Sequence, residues 1–318
     1  MLQAANLWEL TCNRQGADVE FVLKLVRPAI AAVSSSCEAE GPREEDRHMP
    51  PPMKVLVYRH SVVTRVTHWI NAVALVLLLM SGLQIFNAHP ALYWGQTSTF
   101  ADPWVSMTAV ERGPEMIGVT KVGPLTVETT GLFGFSGGEK RGFPSWSTAP
   151  GYRDLAAGRR WHLFFAWVLV LNGLVYLSAN TLNGHIRHDL LPSRDQLAPR
   201  HLWREILDHA RLRFARGDDA RRYNALQKLA YGAIVLIVLP LMVLTGLTMS
   251  PAVNAGQPWL TAVLGGRQSA RTIHFICAGL IVAFALVHVA MVLLSGVWNN
   301  LRSMITGRYA VDVEGGSR

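Results

Sequence analysis

Four stretches of about 20 predominantly apolar residues divide this chain: His68 to Asn87, Trp161 to Thr181, Leu226 to Met249 and Thr272 to Gly296. A helix rising about 1.5 Å per residue needs that length to cross the hydrocarbon of a bilayer. The pattern therefore predicts membrane helices at about 67–87, 161–181, 226–249 and 272–296. Between the first two, residues 88–160 form a far longer connection than joining two helices requires. Alternation in Ile117 to Val122 and in Leu125 to Thr129, around Gly123-Pro124, marks a small β-hairpin there, with Trp94, Trp104, Phe143 and Trp146 about it. The expected fold class is an all-α membrane protein, a four-helix transmembrane bundle with a small periplasmic loop region holding that hairpin.

Two flanking segments differ from the rest. Residues 1–52, with the charged run Arg43 to Arg47 and Pro50 to Pro52, read as a poorly ordered extension without a signal peptide. Met53 or Met49 is the natural start this reading favours. The membrane domain then runs over 53–309, and residues 310–318 are a tail. Within the connection 182–225, Trp203, Ile206, Leu207, Ala210 and Phe214 recur at helical spacing, as in a segment lying on a leaflet surface. His185, His188, His201 and His209 are read there as solvated loop residues.

Composition agrees with a membrane protein: half the residues are hydrophobic and 16% are charged. The formal charge of +8 has a local origin, because nine arginines crowd 182–225: Arg187, Arg194, Arg200, Arg204, Arg211, Arg213, Arg216, Arg221 and Arg222. With Lys54, Arg59 and Arg65 before the first helix and Arg302 and Arg308 after the fourth, the positive-inside rule places both termini in the cytoplasm and 88–160 in the periplasm. A bacterial inner-membrane, multi-pass protein is expected. Nucleic-acid binding is set aside, since no soluble basic module with aromatic readout is present.

Chemistry enters with the histidines. His274 and His288 stand fourteen residues apart on the fourth helix, so they face nearly one side, about 40° apart, and are separated by roughly 21 Å along the axis. His68 and His162 open the first two helices from opposite sides. The topology then pairs His162 with His274 at one depth and His68 with His288 at the other, the layout of two metal centres stacked across a bilayer. Imidazole is a common axial haem ligand, and ionisable groups at such depth are costly without a function. The cysteines Cys12, Cys37 and Cys277 form no metal pattern, and no Cys-x-x-Cys-His motif would attach haem covalently.

Neighbouring residues suit the same reading. Gly82 and Gly173 stand where small residues leave room for a macrocycle, and Arg65, Arg159, Arg160 and Arg271 flank the ligands as partners for propionates. Gly232, Pro240 and Gly246 on the third helix allow close approach or a bend. Tyr223, Asn224, Gln227 and Lys228 at its start offer hydrogen bonds to a quinone carbonyl, or simple interfacial anchoring.

Thr67-His68-Trp69, Trp161-His162 and the pair His274 with His288 resemble the bacterial cytochrome b561 family. That family includes the di-haem cytochrome b subunits of nickel-iron hydrogenases, formate dehydrogenases and thiosulfate reductases, and the likeness covers about residues 54–309. The chain also resembles cytochromes that accompany periplasmic molybdopterin oxidoreductases of the sulfite-oxidase type. The resemblance implies two b-type haems, held by His68, His162, His274 and His288, moving electrons between a periplasmic redox subunit and the quinone pool of a respiratory chain. The long 88–160 segment and the first 52 residues depart from the hydrogenase subunits. Two rivals stand beside this reading: a stand-alone quinone-linked oxidoreductase using a small diffusible donor, and a haem-free transporter or sensor. The latter needs acidic partners in the membrane, and the four spans contain no Asp or Glu.

Overall fold

The computed structural model describes residues 53–151, 153–184, 192–193, 195–211 and 224–313. The expected extension 1–52, Tyr223, His185, His188 and six arginines of the connection, Arg187, Arg194, Arg213, Arg216, Arg221 and Arg222, lie outside the described residues.

Among the described residues, four helices are long and apolar enough to span a membrane: α1 (Val62–Phe86), α2 (Leu155–Leu182), α4 (Ala225–Thr248) and α7 (Arg267–Leu294). With the family reported below, they make this a multi-pass membrane protein. Helices α1, α2 and α7 begin more than a turn before the apolar runs do. Capping explains two of these starts: Ser61 Oγ accepts from Thr64 N–H at 3.1 Å, and the Asp154 carboxylate accepts from Ala157 N–H at 2.8 Å. Apolar length measures the hydrocarbon crossing, whereas caps decide where a helix starts. Few of the apolar side chains are buried in the isolated chain, and some stand well out, Leu286 at 68% exposure for example, because lipid is their solvent.

The helices pack as two pairs, α1 with α2 and α4 with α7, and backbones approach far less closely across the pairs. Helix α4 has one wide turn over Ile234–Val238, where Leu239 N–H reaches back five residues to Ile234 O. Pro240 follows at once; it lacks an N–H and its ring crowds the carbonyl four residues back, so the wide turn relieves a clash that straight helix would keep.

A cap fills the connection between α1 and α2. Strands β2 (Ala91–Leu92), β3 (Val105–Arg112), β4 (Glu115–Val122) and β5 (Leu125–Glu128) form an antiparallel sheet in that order. Val122 pairs with Leu125 about the Gly123-Pro124 turn, but the sheet is larger than the hairpin read from sequence. A second hairpin, β6 (Gly134–Ser136) with β7 (Glu139–Arg141), crosses close to β4: a Cβ on Gly118 would lie 2.1 Å from Phe133 O. Phe86 of α1, Leu92, Val105 and Met107 make the core beneath the sheet, with Phe133, Phe143 and Phe275 of α7 packed on it.

Hydrogen bonds tie the cap to the start of α7. Gly95 O accepts from Gln268 N–H at 3.0 Å and Ser269 N–H at 3.2 Å, while Gly95 N–H donates to Ser269 Oγ. Thr272 Oγ1 donates to Tyr93 O at 2.7 Å. The first turn of α7, which has donors no helix can satisfy internally, is thus capped by a distant loop. Gly266 permits this approach, since at φ +111° its Cβ position falls 2.4 Å from Gly95 O.

At the other end, β1 (Met53–Tyr58) pairs antiparallel with β8 (Arg308–Val313), from Met53 opposite Val313 to Tyr58 opposite Arg308. Residues read as a helix lead-in and the start of a tail therefore form one ribbon. The Asn299 amide, on α8 (Val297–Thr306), bonds both Ala310 N–H and Ala310 O and so anchors the ribbon. The remaining helices are α3 (Pro199–Ala210), α5 (Pro251–Gly256) and α6 (Pro258–Val263).

Candidate metal centres

The four histidines converge two by two across the gap between the helix pairs. His162 of α2 faces His274 of α7 with ring centroids 6.2 Å apart, and His68 of α1 faces His288 of α7 at 6.3 Å. Two metal–imidazole bonds of about 2 Å, plus about 1.1 Å from each nitrogen to its ring centre, span about 6 Å. Both separations match one metal held between two imidazoles. We call His162 with His274 the cap-side pair and His68 with His288 the far pair; the fourteen residues between His274 and His288 separate the pairs by roughly 21 Å.

The hydrogen bonds around the cap-side pair fix its protonation. Ser81 Oγ donates to Leu77 O at 2.6 Å, so toward His162 it can only accept. His162 Nδ1 lies 3.2 Å from both Ser81 Oγ and Leu78 O, two acceptors, and must therefore carry the proton. The same unit recurs on α4. Thr245 Oγ1 donates to Leu241 O at 2.8 Å, and His274 Nδ1 lies 3.1 Å from both Thr245 Oγ1 and Met242 O. With Nδ1–H engaged, Nε2 of each ring keeps its lone pair, the state that metal ligation needs. The residues present fit an axial haem ligand set.

Glycines complete these seats. A Cβ on Gly82 would sit 3.3 Å from His162 Cε1, and one on Gly246 3.4 Å from His274 Cε1. Gly82, expected to make room for a macrocycle, faces the His162 imidazole. Gly173 behaves otherwise, since a Cβ there meets nothing within 4 Å and open space lies above it.

The far pair is built differently. His68 Nδ1 is buried without a hydrogen-bond partner among the described residues. His288 stacks on Phe284 at 5.8 Å and meets the edge of Tyr231 at 6.2 Å. Beside His68, the buried Asn172 amide donates to Thr67 O at 2.8 Å and Asn71 Oδ1 at 2.7 Å, locking α2 to α1.

The flanking arginines separate. Arg271 was read as a propionate partner, but its guanidinium donates to His89 O at 2.6 Å and Ala91 O at 3.0 Å and lies over the Phe86 ring. It clamps the cap. Arg65 donates to Ile305 O and so ties α1 to α8. Arg159 and Arg160 are exposed on the first turns of α2. In the cap, burial, and after it the Arg271 charge, lower the His89 pKa below the usual histidine value. His89 Nε2 lies 3.0 Å from the Tyr93 hydroxyl.

At the start of α4, Asn224 Oδ1 accepts from Gln227 N–H at 2.8 Å, and the Glu205 carboxylate of α3 accepts from Ala225 and Leu226 N–H. Asn224 Oδ1 is therefore a helix cap, beside the two other quinone-contact candidates Gln227 and Lys228. Sequence reasoning passed over Ser81 and Thr245. Their only signal is a hydroxyl residue followed by glycine in mid-span, Ser81-Gly82 and Thr245-Gly246.

Four apolar spans with two pairs of facing histidines are the arrangement expected of a membrane cytochrome of the b type. The model of the family described as prokaryotic cytochrome b561 matches residues 59–307, and this protein is a member of the family. Membership implies bound haem b and electron transfer in the membrane. The chain is similar to the putative protein-methionine-sulfoxide reductase subunit YedZ1 of Azospira oryzae, with 31% identity over 248 residues covering 78% of this chain and 96% of that protein.

Proposed function

We propose that this protein is a di-haem cytochrome b subunit that passes electrons between the quinone pool and a periplasmic oxidoreductase, with its cap in the periplasm and both termini in the cytoplasm. The carrying observation is the pair of 6.2 and 6.3 Å imidazole separations, each spanning the gap between helix pairs. His162 and His274 would hold one haem and His68 and His288 the other. Haem b supplies one-electron chemistry when bound.

The chain's own residues do the rest. Two imidazoles would hold each haem, a ligand set suited to passing electrons rather than to binding substrate. The bundle excludes water, and the single backbone of α7 fixes the distance between the sites because it bears a ligand for each. The similarity to a putative protein-methionine-sulfoxide reductase subunit favours, among periplasmic partners, a catalytic subunit of that reductase type, with a molybdopterin cofactor as the sequence resemblance implies. Electrons would then run from quinol toward the cap. Gln227 and Lys228 are candidates for the quinone contact near the far site.

Purified, haem-replete protein should show a reduced b-type α-band and two haems per chain. Alanine at His162 or His274 should each remove the cap-side haem, and alanine at His68 or His288 the other. Absence of any b-type spectrum would refute the proposal, and crossed loss, with His162→Ala and His288→Ala removing one and the same haem, would refute the ligand assignment.

A further inference from the structure

The two metal sites have unequal surroundings, and the inequality is systematic. Each cap-side histidine rests on a neighbouring helix that presents three features in the same order: a backbone carbonyl, a hydroxyl three residues on, and a glycine next to it. On α1 these are Leu78 O, Ser81 and Gly82; on α4 they are Met242 O, Thr245 and Gly246. Ser81 and Thr245 are wholly buried. Each hydroxyl spends its proton on the carbonyl four residues back, which converts it into a fixed acceptor. Among the described residues the far site shows no such unit, and His68 Nδ1 is buried without a partner there.

We propose that Ser81 and Thr245 are positioning residues that lower the reduction potential of the cap-side haem relative to the far one. This rests on the haem-ligand reading above. An imidazole whose Nδ1–H donates to two acceptors carries more negative charge on its ring, so Nε2 becomes a more basic ligand. A more basic ligand stabilises ferric over ferrous iron, and two such ligands act on the same metal. Only one electron moves; the Nδ1 proton stays on the ring and no bond forms or breaks. Gly82 and Gly246 seat the rings closely, since a Cβ there would lie 3.3 Å from His162 Cε1 and 3.4 Å from His274 Cε1. The carbonyls of Leu78 and Met242 cannot be removed by mutation, so the hydroxyls are the adjustable half of each unit.

The test is spectroelectrochemical titration of the full, haem-replete chain carrying Ser81→Ala, Thr245→Ala or both, with the cap-side haem identified as the one lost in His162→Ala. The double variant should shift the reduction equilibrium of that haem toward ferrous by about tenfold, about 59 mV for one electron, with the far haem unmoved. Ser81→Thr and Thr245→Ser keep the acceptor oxygen and should restore the wild-type midpoint. An unchanged cap-side midpoint at full haem content overturns the proposal, as does an equal shift of both haems, which marks general loosening. Should the alanine variants lose haem, electron–nuclear resonance of the oxidised wild-type protein in deuterated buffer decides. Exchangeable Nδ1 deuterons with stronger hydrogen bonding at the cap-side haem support it, and equivalent deuterons at both haems overturn it. Failure of the haem reading itself would look different, since no b-type spectrum would exist to titrate.

Discussion

Arg271→Met tests whether this arginine clamps the cap or serves a haem. Methionine keeps much of the apolar stem but deletes both guanidinium bonds, at 2.6 Å to His89 O and 3.0 Å to Ala91 O, and the contact with Phe86. A hydrogen bond from a charged donor is worth about 1.5–3 kcal/mol net, so the pair contributes roughly 3–6 kcal/mol. Against this stands the relief of no longer burying a cation, which returns several kcal/mol. A net loss of up to about 3 kcal/mol remains for opening the segment 89–93, or up to roughly 150-fold faster exchange of its amides. The ties of Gly95 to Ser269 and of Tyr93 to Thr272 remain, so the cap should loosen without detaching. Hydrogen exchange read by mass spectrometry, on protein in lipid nanodiscs, resolves this segment from the β4–β5 turn. Exchange within threefold of wild type, together with a changed cap-side haem spectrum, would refute the clamp and restore the propionate role.

Three further outcomes follow from the geometry. Because burial and Arg271 lower the His89 pKa, the unfolded segment binds a proton more readily than the folded one. Its stabilisation is full above about pH 6.5 and declines as pH falls from there through the folded-state value, so intrinsic-rate-corrected exchange of 89–93 should quicken on acidification, and His89→Gln should flatten that dependence. Gly173→Leu projects into space that no protein atom fills, so it should cost the far haem and lower haem content by about half; full haem content would show that the space over Gly173 is not a cofactor cradle. Deleting Glu111, Arg112, Glu115 and Met116 shortens the β3–β4 hairpin while sparing the core, and the Arg112–Glu128 bridge lost with it is exposed and worth at most about 1 kcal/mol. If the catalytic partner docks on this hairpin, both haem spectra should persist while electron exchange with it slows at least tenfold, and unchanged exchange would show that the partner docks elsewhere.

Much of the bundle was legible in the sequence because membrane helices obey one dominant rule. Lipid offers no hydrogen bonds, so a long apolar run has little choice but helix, and its length reports the crossing. The histidine pairing was legible for a related reason. Helical rise is fixed, so fourteen residues on α7 set two depths, and alternating helix directions assign His162 and His68 to them. Neither inference required any knowledge of side-chain contacts.

Tertiary structure alone decided the rest. Arg271 looks the same in sequence whether it meets a propionate or the carbonyls of His89 and Ala91, because backbone acceptors carry no residue signature. Gly82 and Gly173 were read alike, yet one faces the His162 ring and the other faces open space, a difference set by how α1 and α2 are rotated against each other. The ribbon of β1 and β8 joins residues some 250 positions apart, and no local pattern encodes a pairing at that distance. Ser81 and Thr245 are the sharpest case. Sequence determined that a hydroxyl sits in mid-membrane; only the packing of one helix on the next determined that its acceptor lone pair points at a histidine, because direction in space is a property of the pair and not of either strand of sequence.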